Sequence, residues 1–349
     1  MAGIKDVAAK AGVSISTVSY VMSGKRSIGE ATKQRVLDAA KDLGYTPNIQ
    51  AQVLRGEPSK VLAISYPVHS YTDYSSYAVF FFNLAARAKR HGYDILLLMH
   101  EYGEYGDAEL SRVASKGMAD GILLLDVCMM DSRAEIARTL DVPVVSVGYP
   151  QNSSAVYSVD LDMERMGRQA IERAHALGHS HVLIVGATEP FYEDGSNFLI
   201  RFREAALRRA ADFGMHVTFR ASKGYDAPSV DLTLGEAFGE DPDISLVICQ
   251  TNGTQVANAM LSLRRRGLDV PGDVSVLAAC TNGLGALSGQ VDEMPMRPIE
   301  VCARAVDVMV EILNGKRSDV GSVELVAPIY LANGSMGAAP GSRHPDRID

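Results

Sequence analysis

Several marks of secreted, membrane-spanning or catalytic proteins are missing from this sequence. Its four cysteines are scattered over 349 residues without the close pairing of metal sites, so we expect free thiols and a reducing, cytoplasmic compartment. No apolar run approaches membrane-spanning length, and an amphipathic segment stands where a signal peptide would be apolar, so we expect no membrane partner. Phosphate loops, catalytic triad patterns and paired catalytic carboxylates are also lacking, and we expect neither enzyme activity nor a cofactor.

Histidines and cysteines offer two weak candidates for other chemistry. His175 and His179 stand four residues apart at a predicted helix end, with His181 close by, but no third metal ligand follows from the spacing. Cys249 and Cys280 lie at the ends of neighbouring predicted strands. They could form a redox pair, or they could be two buried thiols. We favour ordinary histidines, buried thiols and no metal site.

Charge is distributed unevenly along the chain. The formal net charge of −8 would, as an average, argue against a nucleic-acid partner. Residues 1–60 nevertheless carry nine lysines and arginines and five acidic residues, so their net charge is +4 and that of the remaining residues is −12. A basic segment on an acidic body attracts phosphates locally, so the asymmetry favours DNA as a partner of the first sixty residues.

The first fifty-six residues have the pattern of a helix-turn-helix unit. Residues 4–11 are apolar at helical spacing, Gly12 supplies a tight turn, and Ser14 or Ser16 can cap the second helix. A third helix over residues 30–43 would pack on the first two. Its buried side is predicted to carry Val36, Leu37, Ala40 and Leu43.

The second helix is the candidate for reading DNA bases, because small hydroxyl side chains let its start approach base edges and phosphates. Val18, Val21 and Met22 would face the core. The side chains expected to contact DNA are Ser14, Ser16, Thr17, Ser19, Tyr20, Ser23, Lys25 and Arg26. In this set Lys25 and Arg26 would hold phosphates. The alternatives are a plain helix cap and a solvated charge pair.

Residues 61–336 alternate short apolar runs with helical patterns. Such runs are typical of strands covered by helices on both faces, which means parallel sheets. About nine strands are too many for one compact sheet, so we expect two lobes with a cleft at the carboxyl ends of the strands. The predicted fold class is α/β, with an all-α helix-turn-helix head and a two-lobed Rossmann-like body.

The head motifs resemble those of the LacI (lactose repressor) family of bacterial transcription regulators, and the rest of the chain is similar more loosely over nearly its whole length. The resembling segments are residues 4–8, 11–14, 16–19, 43–48, 51 and 54–55. Many family members carry Arg where this chain has Tyr20. Arg reads guanine with two hydrogen bonds, so a different base preference is expected here.

The resemblance also implies a hinge between head and body. Asn48 to Arg55 would form a short helix only when two copies meet on DNA, and Leu54 of each copy would wedge between base steps in the minor groove. Asn48, Ala51, Leu54 and Arg55 are therefore further DNA-contact candidates. The alternative is a plain linker with a chance leucine.

The same resemblance implies a periplasmic-binding-protein-like body whose chain crosses between the lobes near residues 160, 290 and 323. The expected domains are the head 1–47, the hinge 48–60, a lobe of 61–160 plus about 291–322, a lobe of 161–290 plus about 323–336, and a disordered tail 337–349.

Family members that bind sugars usually carry Asp, Arg, Asn-Asp and Asp where this chain has Gly148, Phe198, Asn252-Gly253 and Cys280. Those charged groups grip hydroxyls, so we expect no sugar held in that way but a flatter or more apolar ligand, or no ligand at all. The residues expected to line the cleft are Tyr74, Tyr77, Asp126, Tyr149, Phe198, Asn252 and Cys280.

Three functions from different classes are compatible with parts of this pattern. A homodimeric, ligand-responsive repressor on pseudo-palindromic operator DNA, associated with the bacterial nucleoid, explains the head and the body together. A solute-binding protein would explain the lobes but not the head. An enzyme on a Rossmann-like fold would need a catalytic constellation that the sequence lacks. We favour the repressor.

Overall fold

A computed structural model of the chain divides into two compact units, Met1–Ser59 and Lys60–Asp349, called here the head and the body. The residues that the structure describes are 2–23, 26–45, 58–103, 106–250 and 253–341. Among them, no helix is both long enough and apolar enough to cross a membrane.

The head contains three helices, α1 (Ile4–Ala11), α2 (Ile15–Ser23) and α3 (Glu30–Asp42). Gly12 ends α1 with a φ of +66°, a left-handed conformation that glycine adopts without the steric cost of a Cβ atom. These bounds agree with the helices predicted from the sequence to within a residue or so.

Apolar side chains from all three head helices form one core. Val7, Val18 and Val36 are fully buried there, one from each helix. The prediction for Leu37 was wrong, because this side chain is 40% exposed. On α3 the inward positions recur at three- and four-residue intervals from Val36, which turns Leu37 about 100° away from the core.

The body contains two parallel sheets. The strands of the first sheet are β1 (Val61–Val68), β2 (Asp94–Glu101), β3 (Gly121–Leu124), β4 (Val144–Val147), β5 (Tyr157–Leu161) and β11 (Val323–Val326). The strands of the second are β6 (His181–Thr188), β7 (His216–Ser222), β8 (Leu246–Gln250), β9 (Ser275–Thr281) and β10 (Asp292–Pro295). Their orders are β11-β5-β4-β3-β1-β2 and β10-β9-β8-β6-β7. The predicted α/β class with parallel sheets is confirmed.

Helices cover both sheets and define a first and a second lobe. The first lobe contains α4 (Tyr74–Arg90), α5 (Gly106–Ser115), α6 (Ser132–Ile136) and α12 (Pro298–Leu313). The second contains α7 (Met163–Ala176), α8 (Glu189–Glu193), α9 (Asn197–Asp212), α10 (Ala227–Glu240) and α11 (Gly253–Arg265). Buried apolar side chains fill the space between helices and strands in each lobe.

Two of the expected crossover points between the lobes were wrong. β10 belongs to the second sheet and β11 to the first, so the chain crosses after Pro295 and again after Val326, not near residues 290 and 323. Neither strand has the continuous apolar run that marks a buried strand. β10 reads Asp-Glu-Met-Pro, and β11 is an edge strand whose burial alternates.

The expected disorder from residue 337 onward was wrong for residues 337–341. The carbonyl of Gly337 accepts a hydrogen bond from His179 Nε2 at 3.1 Å, and the amide of Ala339 donates to the carbonyl of Leu177 at 2.9 Å. Ala339 is buried against the second lobe. Residues 342–349 lie outside the described part of the chain.

Candidate DNA-reading helix and ligand cleft

A cluster of hydroxyl groups stands at the start of α2. Ser14 Oγ accepts a hydrogen bond from the amide of Thr17 at 3.1 Å, which satisfies one of the free N–H groups of the first turn. Ser14 Oγ also lies 2.7 Å from Ser16 Oγ and 2.9 Å from Thr17 Oγ1. These hydroxyls are on the surface, where they can exchange their mutual hydrogen bonds for contacts with DNA.

Tyr20 and Arg26 extend this surface of the head. Tyr20 is 37% exposed, and the guanidinium carbon of Arg26 lies 5.7 Å from the centre of its ring. The packing presents an aromatic and a cationic group side by side. Several predicted DNA contacts lie outside the described residues or side chains: Ser23, Lys25, Asn48, Ala51, Leu54 and Arg55.

The body contains a cleft between its lobes with a volume of about 570 Å³, a size suited to a small molecule. Segments that follow the carboxyl ends of strands from both sheets form its walls. Its aromatic lining consists of Tyr71, Tyr77, Phe80, Phe191, Phe198 and Tyr225. Its polar lining includes Asp73, Ser75, Ser76, Asp126, Asp160, Asn197, Thr254, Asn258, Asn282 and Arg297.

Of the seven side chains predicted to line the cleft, Tyr77, Asp126, Phe198 and Cys280 do so. Two are absent from the lining that the structure describes. Tyr74 is 58% exposed to solvent at the start of α4, and Tyr149 lies beneath a guanidinium group instead. Asn252 lies outside the described residues.

Two glycines at the cleft, Gly148 and Gly253, have little room for a side chain. Gly148 has a φ of +104°, and a Cβ atom there would lie 3.0 Å from Asn197 Nδ2. A Cβ atom at Gly253 would lie 2.8 Å from the carbonyl oxygen of Gly283. An aspartate at either position would therefore require its surroundings to move.

A histidine that no sequence pattern reveals joins the two lobes. His69 follows β1 in the first lobe, and its Nδ1 lies 2.9 Å from Oδ2 of Asp194, which follows α8 in the second lobe. Tyr71 donates a hydrogen bond of 2.6 Å to the same carboxylate oxygen, and Tyr102 donates to the Asp194 carbonyl at 3.0 Å. A lone histidine and a lone aspartate, 125 residues apart, leave no pattern in the sequence.

Asp126 lies at the first-lobe end of this network. Tyr77 donates a hydrogen bond of 2.8 Å to its Oδ1, and His69 Nε2 is 3.5 Å from its Oδ2. Burial raises the pKa of Asp126, although His69 and Tyr77 act in the opposite direction. Its φ of +53° is unusual for a residue with a side chain, and Cys280, across the cleft, has a φ of +56°. Such strain is found most often at binding sites.

Asp160, near the end of β5, is a second buried carboxyl in the cleft that sequence reasoning missed. Its Oδ1 accepts a hydrogen bond of 2.8 Å from the amide of Leu161, while its Oδ2 has no partner among the described residues. Burial raises the pKa of Asp160 to about 7, against the lowering effect of that amide and of Arg201. The alternating pattern of a strand gives no sign that one of its inward positions is acidic.

The histidines considered as metal ligands are not among the described residues that line the cleft. His179 is buried, with Nδ1 2.9 Å from Ser245 Oγ, and His175 stacks on Phe213. His181 and His216 both contact the Asp241 carboxylate, and the potential ligand atoms of this trio lie within 4.8 Å of one another. The Nδ1 atom of His181 lies 2.9 Å from the Asp241 carboxylate, and the trio lies at the amino ends of β6 and β7.

All four cysteines are free and buried. Burial raises the pKa of Cys249 and of Cys302 to about 12, and it also raises the pKa of Cys128 and Cys280. Because the thiolate is the reactive form, these groups behave as small apolar side chains in the folded protein.

Comparisons with known proteins match the two units separately. Residues 3–48 match the family described as bacterial regulatory proteins, lacI family. Residues 171–334 match the periplasmic binding protein-like domain. The first range contains the three helices of the head, and the second contains strands β6 to β11 of the body.

Relatives of the whole chain are transcriptional regulators. The HTH-type transcriptional regulator RegA of Clostridium saccharobutylicum is 25% identical over 321 residues, which is 90% of this chain and 94% of the relative. The structure of the lac repressor dimer bound to operator and the anti-inducer ONPF has a TM-score of 0.81 at 17% identity, covering 97% of this chain and 99% of its own. A transcriptional regulator CelR–cellobiose complex has a TM-score of 0.65 at 21% identity, covering 96% and 100%. The chain is therefore similar over nearly its whole length to transcriptional regulators, and its residues 3–48 carry the lacI-family match.

Proposed function

We propose that this chain is a homodimeric repressor whose affinity for a pseudo-palindromic operator is changed by a small molecule bound between the lobes. The observation that carries the proposal is the cleft of about 570 Å³, with walls from both lobes, in a chain that also has a DNA-reading head. A ligand there can favour one arrangement of the lobes over another. Only a ligand with different affinities for the two arrangements can act as an effector.

The DNA contacts are proposed from the surface of α2. Its exposed hydroxyls at Ser16 and Thr17, with Tyr20 one turn further, form the surface that would enter the major groove. Lys25 and Arg26 would hold phosphates. The hinge residues Asn48 to Arg55 remain a prediction from the family resemblance.

The ligand response is proposed from the contacts that close the cleft. His69 and Tyr71 of the first lobe hold the Asp194 carboxylate of the second, and Asn282 Nδ2 of the second lobe donates a hydrogen bond of 3.1 Å to the Ser76 carbonyl of the first. These hydrogen-bonding groups are shielded from water only when the two lobes are in contact. A ligand that adds contacts to both walls therefore stabilises the closed arrangement.

Dimerisation is supported by apolar surface on the first lobe. Phe82 on α4 is 75% exposed, and Leu97 and Met99 on edge strand β2 are also exposed. Large exposed apolar side chains often mark interfaces between proteins, and a second copy is the partner that a two-fold operator requires. A structural relative, the lac repressor, was solved as a dimer on its operator.

The experiment that tests this function selects DNA from a random pool with the full chain and then measures binding by fluorescence anisotropy. We expect one enriched pseudo-palindrome. Thr17→Ala should weaken binding to it by about tenfold or more, whereas the exposed Gln34→Ala on α3 should not. No enriched sequence, or equal losses in both variants, would contradict the proposal. The solute-binding alternative is favoured if metabolites bind the body while no DNA sequence is enriched.

A further inference from the structure

Asp160 places an incompletely satisfied carboxyl group at the wall of the cleft. The residue is 5% exposed and is the last but one of β5. Its Oδ1 is held by the amide of Leu161, but the buried Oδ2 has no hydrogen-bond partner in the part of the chain that the structure describes. A buried acceptor without a donor costs free energy, so a cationic donor bound to this carboxyl group gains more than it would at the surface.

Arg201 is the cation near Asp160, but its hydrogen bonds go elsewhere. Its Nη1 donates to Tyr149 Oη at 2.8 Å and to Glu164 at 3.2 Å, and its Nη2 donates to the Tyr149 carbonyl at 3.1 Å. The guanidinium also stacks on the Tyr149 ring, with its carbon 3.5 Å from the ring centre. Arg201 is thus fixed against Tyr149 and Glu164, which leaves Asp160 without an ion pair.

Acidic side chains outnumber basic ones among the described residues that line the cleft. Asp73, Asp126 and Asp160 line it, whereas Arg297 is the one basic side chain among the lining residues described. Arg297 donates to Glu300 at 2.8 Å and to the carbonyl of Ala327 at 2.8 Å, so its charge is already compensated. The cleft therefore presents an excess of carboxyl groups, which attracts cations.

The wall of the cleft that the second lobe provides is aromatic. Phe191, Phe198 and Tyr225 of that lobe line the same cavity as Asp160. Ring faces attract cations and pack against flat or apolar groups. Burial also raises the pKa of Asp160 to about 7, against the lowering effects of the Leu161 amide, the Arg201 charge and the Tyr149 amide.

We propose that the ligand of this cleft carries a protonated primary amine on an apolar or aromatic body, with the amine bound to the carboxyl group of Asp160. This inference rests on the proposed function, because it names the chemistry of the effector. A neutral sugar would also donate hydrogen bonds to this carboxyl group, but it would leave the excess of negative charge in place.

The test measures binding of matched ligand pairs to the full chain by calorimetry. A panel of primary amines is paired with their hydroxyl counterparts, starting with 2-phenylethylamine against 2-phenylethanol and glucosamine against glucose. We expect at least one amine on an apolar body to bind about tenfold or more tightly than its alcohol. Equal binding within every pair, no binding by any amine at millimolar concentration, or a preference for glucose would overturn the proposal.

Variants identify the group responsible. Asp160→Asn keeps the shape of the side chain and should abolish the preference for the amine, whereas Asp243→Asn, an exposed aspartate of the second lobe, should retain it. A preference that survives Asp160→Asn would overturn the assignment. The comparison of amine and alcohol within each ligand pair uses the wild-type chain and does not depend on the folding of a variant. If Asp160→Asn does not fold, Asp160→Ser serves as the second variant.

Failure of this proposal can be distinguished from failure of the proposed function. Anisotropy with the selected DNA is measured in parallel for the wild-type chain and Asp160→Asn, which should bind the same sequence in the absence of ligand. Specific DNA binding without any amine preference overturns only the ligand chemistry. Loss of specific DNA binding in the wild-type chain overturns the proposed function.

Discussion

Ser16 and Tyr20 are exposed on α2, and Lys25 follows the helix in the sequence. Base edges carry sequence information and phosphates do not, so these side chains should contribute differently to binding. Ser16→Ala or Tyr20→Ala should change the preferred bases and cost about 1–3 kcal/mol on the best site. Lys25→Ala should weaken binding to all sequences alike and reduce the salt dependence by about one phosphate contact. Selection and anisotropy at several salt concentrations check this, and equal sequence-independent losses would contradict it.

Arg133 and Asp131 form a buried ion pair beside the cleft. The guanidinium donates to Asp131 at 2.7 and 2.9 Å and to the carbonyls of Leu125 and Asp126 at 3.1 and 3.0 Å, which fixes the backbone at the end of β3. Arg133→Met leaves a buried carboxylate without its partner, so we expect a loss of about 3–5 kcal/mol in the free energy of unfolding. Urea denaturation measures it.

The matched control for this pair is Arg208→Met, which removes an exposed ion pair with Glu204 on α9. Exposed pairs contribute about 0–1 kcal/mol because water competes for both charges. A loss of similar size in the two variants would contradict the role given to burial.

At the scale of secondary-structure elements, salt bridges connect strand β11 to helix α12. Glu324 on β11 accepts hydrogen bonds from Arg304 of α12 at 2.6 and 2.9 Å and also contacts Arg317. These hydrogen bonds lower the pKa of Glu324 from 4.5 to about 2, against the raising effect of partial burial. A carboxyl with a lowered pKa in the folded state stabilises the protein above its unfolded pKa and loses that effect as the pH falls.

We therefore expect Glu324→Gln to lower the Tm at pH 7 and to differ from the wild type less and less between pH 4.5 and pH 2. Scanning calorimetry over this range measures the difference. Glu101→Gln, at an exposed position at the end of β2, is the control and should show little difference at either pH. A Glu324→Gln deficit that does not change with pH would contradict the assignment.

The loops that follow β1 and α8 are joined by hydrogen bonds across the cleft. Asp194→Ala removes the carboxylate that His69 and Tyr71 share across the cleft. Hydrogen bonds to a charged group contribute about 1.5–3 kcal/mol, so the ratio of closed to open molecules should fall about tenfold or more. Small-angle scattering should show a larger radius of gyration than for the exposed control Asp212→Ala. An unchanged radius would mean that this network does not hold the lobes together.

At the scale of the whole molecule, one head with a short reading helix cannot secure specificity against a genome, so two copies are needed. We expect a homodimer that protects both halves of a site of about 14–20 base pairs. Phe82→Glu should weaken the dimer and its DNA binding together, while Leu232→Glu, on the exposed face of α10, should not. Sedimentation and footprinting test this, and a stable monomer on one half-site would contradict it.

Local patterns in the sequence determined the head and the type of fold. The helices α1 to α3 follow from contacts three or four residues apart and from a glycine turn, and continuous apolar runs predicted most of the parallel strands. Strands β5, β10 and β11 escaped prediction because an alternating segment, a polar segment and an edge strand lack such a run, and two crossover points were misplaced with the last two strands.

The cleft was determined by the sequence only in part. Tyr77, Asp126, Phe198 and Cys280 were placed there by their positions after predicted strands and by the family resemblance. The tertiary structure alone decided that His69 meets Asp194 and that Asp160 is buried with one oxygen unpaired. The physical reason is that desolvation and hydrogen-bond partners depend on groups brought together from distant parts of the chain, whereas helical periodicity and turns depend on neighbours.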